Sequence, residues 1–161
     1  MERIDTMIDI ARPRASVFEF VTNAAQWKRW HPATVAVSGV PNRPLGQGET
    51  IDELIHAGPR RFSARWTVIE CKPPRRWVIV TDSQDGEAKI TYKLSEHESV
   101  CYFERILEYR SKRLPWKWFD GSLTRRLLIK QSEQALRNLK RVLESRREGP
   151  TTRLPPTGPM P

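Results

Sequence analysis

The chain has 161 residues, 38% of them hydrophobic, and 28 Lys and Arg against 19 Asp and Glu give it a formal charge of +9. That length suits one domain around one core. No run approaches the roughly 18 apolar residues of a membrane-spanning helix, and the N-terminus MERIDTMIDI lacks the basic and apolar blocks of a secretory leader, so a cytoplasmic location is expected. Cys71 and Cys101 form no CxxC pair and have no His at ligand spacing, so neither a metal nor a cofactor is expected.

In chain order, residues 3–11 alternate, with Ile4, Thr6, Ile8 and Ile10 on one side and Asp5, Met7 and Asp9 on the other, the period of a half-buried strand. Pro13 ends it. Val17, Phe18 and Val21, then Trp27 and Trp30, recur at helical spacing before Pro32, which predicts two short helices. Period two then returns. Val35 and Val37 begin a strand, Pro41 to Gly48 is turn-rich, and Glu49 to Ala57 is a strand with Ile51, Glu53 and Ile55 on one face. After a turn at Gly58-Pro59, Phe62, Ala64, Trp66 and Val68 alternate with polar neighbours until Lys72-Pro73-Pro74-Arg75 breaks the ladder.

Trp77 to Thr81 resumes a strand, and Asp85-Gly86 signals a hairpin into Glu87 to Leu94, where Ile90, Tyr92 and Leu94 oppose Lys89, Thr91 and Lys93. Val100 to Arg110 offers two competing sets, Tyr102, Glu104 and Ile106 against Phe103, Arg105, Leu107 and Tyr109, and periodicity alone leaves its faces open. Gly121 to Arg147 predicts the longest element, an α-helix. Leu128, Ser132, Ala135, Leu139 and Val142 form a stripe widened by Leu123, Leu127, Leu136 and Leu143, with Ser122 as a candidate N-cap and Gly149-Pro150 as the stop. The proline-rich remainder is read as a disordered tail, so the expected organisation is one domain over 1–148 and a tail over 149–161.

The order is strand, two short helices, six strands, long helix. Strands joined by short turns pair as an antiparallel meander, and a sheet wet on its convex face would close its concave face over the helix. Positive charge is concentrated late: from Arg110 to Glu148 twelve basic residues face four acidic ones. Such a face either attracts phosphate or keeps the protein solvated.

Several motifs recur together: Ile10-Ala11-Arg12-Pro13 leading to Val17-Phe18, Trp30-His31-Pro32, Gly46-Gln47-Gly48, and Val68-Ile69-Glu70 with Pro73-Pro74-Arg75-Arg76. In their order and spacing, from about residue 3 to residue 145, the chain resembles the START-like (helix-grip, SRPBCC) superfamily, and within it the polyketide cyclase/dehydrase-like group of bacterial proteins. The resemblance implies an α+β helix-grip fold: a seven-stranded curved antiparallel sheet wrapped around a long C-terminal α-helix, with two short helices after the first strand. It also implies a hydrophobic cavity between sheet and helix, entered near the short helices and neighbouring loops. A shared fold does not transfer an activity.

Trp27, Trp30, Trp66 and Tyr92 supply large flat walls with polar tips, the usual lining of a small-molecule site. With them, His31, Glu53, Ile55, Tyr102, Leu128 and Ser132 are the expected ligand contacts. Cyclising or dehydrating a polyketone needs a base beside a carbonyl and a donor for the enolate, and the candidates are His31, Glu53, Glu104 and Tyr92. His31 titrates near neutrality when unperturbed, and an inward Glu53 would be a desolvated carboxylate. Each has a plainer role open to it: His31 as a packing or capping residue, Glu53 and Glu104 as partners of arginines such as Arg65 and Arg105.

The leading expectation is a monomer or homodimer that binds a hydrophobic, lipid-like or aromatic small molecule. The first alternative is a polyketide cyclase or dehydratase. The second is a lipid carrier docking on an anionic membrane through loop 112–119, where Trp116, Trp118 and Phe119 sit among Lys112, Arg113 and Lys117. Nucleic acid is disfavoured as a partner because no groove-reading module is present.

Overall fold

The computed structural model of the chain describes residues 1–57, 60–112 and 121–145. The turn expected at Gly58-Pro59, the aromatic loop from Arg113 to Phe119 and the C-terminal tail lie outside the described residues. Strand β1 (Glu2–Ile10) leads into helix α1 (Arg14–Val21) and a 3-10 helix (Ala24–Arg29). Then come β2 (Thr34–Ser38), β3 (Thr50–Ala57), β4 (Arg60–Lys72), β5 (Arg76–Asp82), β6 (Gly86–His97) and β7 (Val100–Ser111). The long helix α2 (Gly121–Ser145) spans 25 residues.

All seven strands form one antiparallel sheet in the order β1-β7-β6-β5-β4-β3-β2. From β2 to β7 every neighbour in the sheet is also a neighbour in sequence, and only β1 crosses to the far edge to pair with β7. Register shifts between Thr34 and Ala36 and between Val68 and Glu70 insert an extra residue, Ile69 in the second case, which is turned out to solvent. Such bulges bend and twist the strands that carry them, helping the sheet curl around α2. At Gly86 a β-carbon would sit 2.6 Å from the Arg110 carbonyl oxygen, so only glycine lets β6 and β7 close at that end.

The register settles the faces of β7. Ile4 and Ile90 flank Leu107, Ile8 and Leu94 flank Phe103, and Thr6 and Tyr92 flank Arg105. The odd-numbered residues from Cys101 to Tyr109 thus share the concave side with the apolar set of β6. On the convex side Lys89 meets Glu108 at 3.5 Å and Lys93 meets Glu104 at 3.4 Å as cross-strand ion pairs.

Helix α2 buries Ser132, Ala135, Leu136, Leu139 and Leu143 against the concave face. Leu123 and Leu127, expected to widen this stripe, are exposed instead. At 3.6 residues per turn they stand roughly 120° or more around the helix from the centre of the buried face, which explains the difference. The helix is tied at its C-terminal half: Lys140 Nζ donates to the Asp9 carbonyl at 2.7 Å, and the Ala11 N–H donates to Glu144 Oε1 at 2.9 Å. Asn138 Nδ2 donates to the Trp30 carbonyl at 3.1 Å, holding the helix to the segment after the 3-10 helix. Asn138→Ala leaves that half-buried carbonyl without its donor and is expected to cost about 1 kcal/mol in urea unfolding. No helix among the described residues is long and apolar enough to cross a membrane.

Candidate functional site

Between the concave face and α2 lies a cavity of about 480 Å³. Its inner end is walled by Trp27, Trp30, Trp66 and Tyr92, all buried. Tyr92 is the hub of these rings: it stacks on Trp77 at 5.5 Å and meets Phe103 edge-on at 5.1 Å and Trp30 at 6.4 Å. Ile55, Phe62, Ile90, Leu107 and Leu128 continue the apolar wall. Toward the other end the lining becomes exposed at Arg61, Arg110 and Ser111, beside the β5–β6 turn and the first turns of α2.

The polar members of the wall come from different elements. Glu53, on β3 and 8% exposed, is inward because it shares the period of Ile51 and Ile55. Its Oε1 accepts from Thr34 Oγ1 at 2.6 Å and its Oε2 from Trp66 Nε1 at 2.8 Å. Burial raises its pKa, an effect that these two hydrogen bonds and the charge of Arg105 oppose. Arg105, on β7 and 4% exposed, donates from Nη1 to Ser132 Oγ on α2 at 3.1 Å. Its guanidinium also reaches the Tyr92 hydroxyl, and burial pushes that phenol up to about 12, so it stays protonated at neutral pH.

His31 accepts at Nδ1 from the Ala33 N–H at 3.3 Å, which leaves the ring proton on Nε2. Burial first, and the charge of Arg105 second, hold this imidazole well below its ordinary pKa, so it is neutral at physiological pH. Expected to titrate near neutrality, His31 does not, because its ring is enclosed. Four atoms belonging to lining residues are buried with no protein partner among the described residues: Trp30 Nε1, His31 Nε2, Arg105 Nε and Thr81 Oγ1. The three nitrogens are donors, and the hydroxyl can donate. The wall is thus largely apolar, with a few polar side chains packed into it.

A family model described as polyketide cyclase / dehydrase and lipid transport matches residues 1–144. The chain belongs to that family. Among solved structures, the protein TTHA0849 from Thermus thermophilus superposes with a TM-score of 0.77 at 12% identity, over 89% of this chain and 98% of that one. A START superfamily protein from Mycobacterium smegmatis gives 0.73 at 10% identity, over 89% and 97%. The di-domain ARO/CYC BexL from the BE-7585A biosynthetic pathway gives 0.66 at 20% identity, over 89% of this chain and 47% of that one. At these identities the likeness is one of fold. No curated protein sequence matches the chain.

Within this member of the family, Trp27, Trp30, His31, Glu53, Ile55, Trp66, Tyr92, Leu128 and Ser132 all line the one cavity. Two expected site residues do not. Tyr102 is 40% exposed and Glu104 pairs with Lys93, both on the convex face, because the β6–β7 register turns the even-numbered residues of β7 outward. The expected arginine partners also differ: Arg65 binds Asp52 at 2.7 Å on the outer face, and no ion pair within contact distance joins Arg105 to Glu53. Arg105, Thr34 and Thr81 are among the lining residues that were not expected as ligand contacts. Of the basic and aromatic loop expected to meet a membrane, only Lys112 is described, and it pairs with Asp82.

Proposed function

We propose that this protein binds a hydrophobic small molecule, lipid-like or aromatic and polyketide-like, that carries oxygen acceptors and sits between the sheet and α2. The observation that carries this reading is the cavity of about 480 Å³ itself, largely apolar along Trp27, Trp30, Trp66, Ile90, Leu107 and Leu128, with the polar side chains of Glu53, His31, Tyr92 and Arg105 among its lining. A ligand with carbonyl, hydroxyl or carboxyl oxygens would match the few polar side chains of such a wall. The volume falls within the usual range for drug-sized ligands, whose apolar burial contributes about 25 cal/mol per Å².

Thermal-shift screening against polyketide-like aromatics and medium-chain lipids, with native mass spectrometry of protein from its host, tests the reading. A stabilising ligand and a retained mass are expected; stabilisation by none of them and a bare mass would sink it. Ala64 lines the cavity beside Glu53 on the neighbouring strand. Ala64→Phe places a ring in that space, so it is expected to weaken the best ligand about tenfold or more while changing stability by less than about 1.5 kcal/mol. Isothermal titration of both proteins, with urea unfolding of each, checks both halves.

A second reading, a cyclase or dehydratase, draws support from Glu53. A desolvated carboxylate is suited to removing a proton beside a carbonyl, and the neutral donors Tyr92 and His31 could hold the enolate oxygen. Under this reading Glu53→Gln abolishes turnover of a polyketone but keeps its binding. Turnover that survives the substitution removes Glu53 from the chemistry.

A further inference from the structure

A guanidinium is an expensive group to enclose, and Arg105 is enclosed without a matching anion in contact. It is 4% exposed, and its Nη1 is spent on the neutral hydroxyl of Ser132 at 3.1 Å. A second neutral hydroxyl, that of Tyr92, takes another of its contacts. Its Nε is buried and unpartnered, and no carboxylate lies within ion-pair distance among the described residues. Desolvating one charge is costly unless a counter-charge meets it.

The inward carboxylate of Glu53 does not fill this role. Its oxygens accept from Thr34 Oγ1 and Trp66 Nε1 at 2.6 and 2.8 Å, so both are spent on neutral donors on β2 and β4, and neither forms an ion pair with the β7 guanidinium. Burial also opposes the charged form of Glu53, which weakens it as a counter-ion. The other inward polar groups around Arg105 are His31, held neutral, and Thr6, whose hydroxyl is spent on the Arg105 backbone carbonyl at 3.2 Å. One cationic site at the sheet wall is thus left without its anion.

We propose that the ligand is a hydrophobic monocarboxylate whose carboxylate pairs with the guanidinium of Arg105 in the cavity wall, with its apolar body lying between Leu128 and the Trp30, Trp66 and Tyr92 rings. This deepens the binding function proposed above and rests on it. Arginine suits the task because its planar fork donates parallel N–H bonds to a carboxylate, and charge-assisted bonds of this kind are about twice as strong as neutral ones. Ser132 and Tyr92 hold the fork from behind, so little freedom is lost when the anion arrives. A neutral oxygen ligand would satisfy the hydrogen bond but leave the charge uncompensated.

Matched probe pairs test this whatever the natural ligand is: decanoate against decanol, and 2-naphthoate against 2-naphthylmethanol, each titrated calorimetrically at neutral pH into the wild type and Arg105→Met. The carboxylate of at least one pair is expected to bind the wild type about tenfold or more tightly than its alcohol, a preference falling below about threefold in Arg105→Met. Alcohols that bind the wild type as well as the acids overturn the anion proposal and leave the hydrophobic-ligand reading standing. A preference for the acids that persists in Arg105→Met overturns the assignment to Arg105. Failure of all four probes to bind the wild type overturns both readings. The wild-type comparison decides the matter even if Arg105→Met does not fold, and Ser132→Ala, which removes one support of the fork, is then expected to reduce the preference about threefold.

Discussion

Trp77→Ala is expected to cost about 4 kcal/mol of folding stability, more than any other single truncation behind the cavity. Trp77 is fully buried at 0% exposure on β5 and stands behind the cavity wall rather than in it. Its ring stacks on Tyr92 at 5.5 Å and 25° and meets Trp27 edge-on at 6.2 Å, while its Nε1 donates to the Leu45 carbonyl at 2.9 Å. Removing it deletes a large apolar volume in a place where β4, β5, β6 and the 3-10 helix are all constrained, so the hole cannot collapse. The Leu45 carbonyl also loses its donor. Trp77→Phe keeps a ring against Tyr92 and is expected to cost about half as much. Urea unfolding measures both, and an alanine variant within about 1 kcal/mol of wild type would show that the rings are not the buttress of the site. Because Trp77 sets the plane of Tyr92, the phenylalanine variant should also bind ligand more weakly than its small stability loss accounts for.

The sheet and its helix were legible in the sequence because their periods are clean. Ile4, Thr6, Ile8 and Ile10 alternate without interruption and all four face the concave side, and Ser132, Ala135, Leu139 and Leu143 hold the helical period through the segment that is in fact buried. Glu53 could be placed because its neighbours Ile51 and Ile55 are unambiguous. β7 could not be placed, because both of its alternating sets mix apolar and charged residues and the buried set contains an arginine. A signal that resolves it does exist. His97 pairs with Val100, so Glu98 and Ser99 form a two-residue hairpin turn, with φ of 49° and 64°. That turn fixes Tyr92 opposite Arg105. Its residues lack the Asn-Gly or Asp-Gly signature by which such turns are recognised, so the register, and with it Arg105, stayed hidden. The bulge at Ile69 was hidden for a different reason: an unbroken run of β-forming residues carries no mark of the extra one.

Glu53 should respond to substitution in opposite directions according to what replaces it. Glu53→Ala strips the partners from Trp66 Nε1 and Thr34 Oγ1 and removes the negative charge that faces Arg105 through space, so a loss of about 2 to 4 kcal/mol is expected. Glu53→Gln keeps both bonds, its carbonyl oxygen accepting from Trp66 and its amide donating to Thr34. The remaining difference is charge. Thr34 on β2, Trp66 on β4 and Arg105 on β7 all favour the ionised carboxylate, and the surrounding apolar wall, with Tyr92 on β6, opposes it. Burial is the largest of these influences and the net shift is upward. A carboxyl whose folded pKa is raised binds its proton more tightly folded than unfolded, so its contribution to stability is greatest below its ordinary value of 4.5 and is lost as pH rises through the raised one. At neutral pH the glutamine variant should therefore be the more stable protein, by about 2 to 4 °C in Tm for each kcal/mol of the removed penalty. The advantage should shrink toward zero as pH falls below the ordinary carboxylate range. Melting curves of both proteins across that range decide it. A glutamine variant that is less stable than wild type at neutral pH would mean that Arg105 outweighs burial and that Glu53 is its working counter-ion, an outcome that would also weaken the case for an anionic ligand.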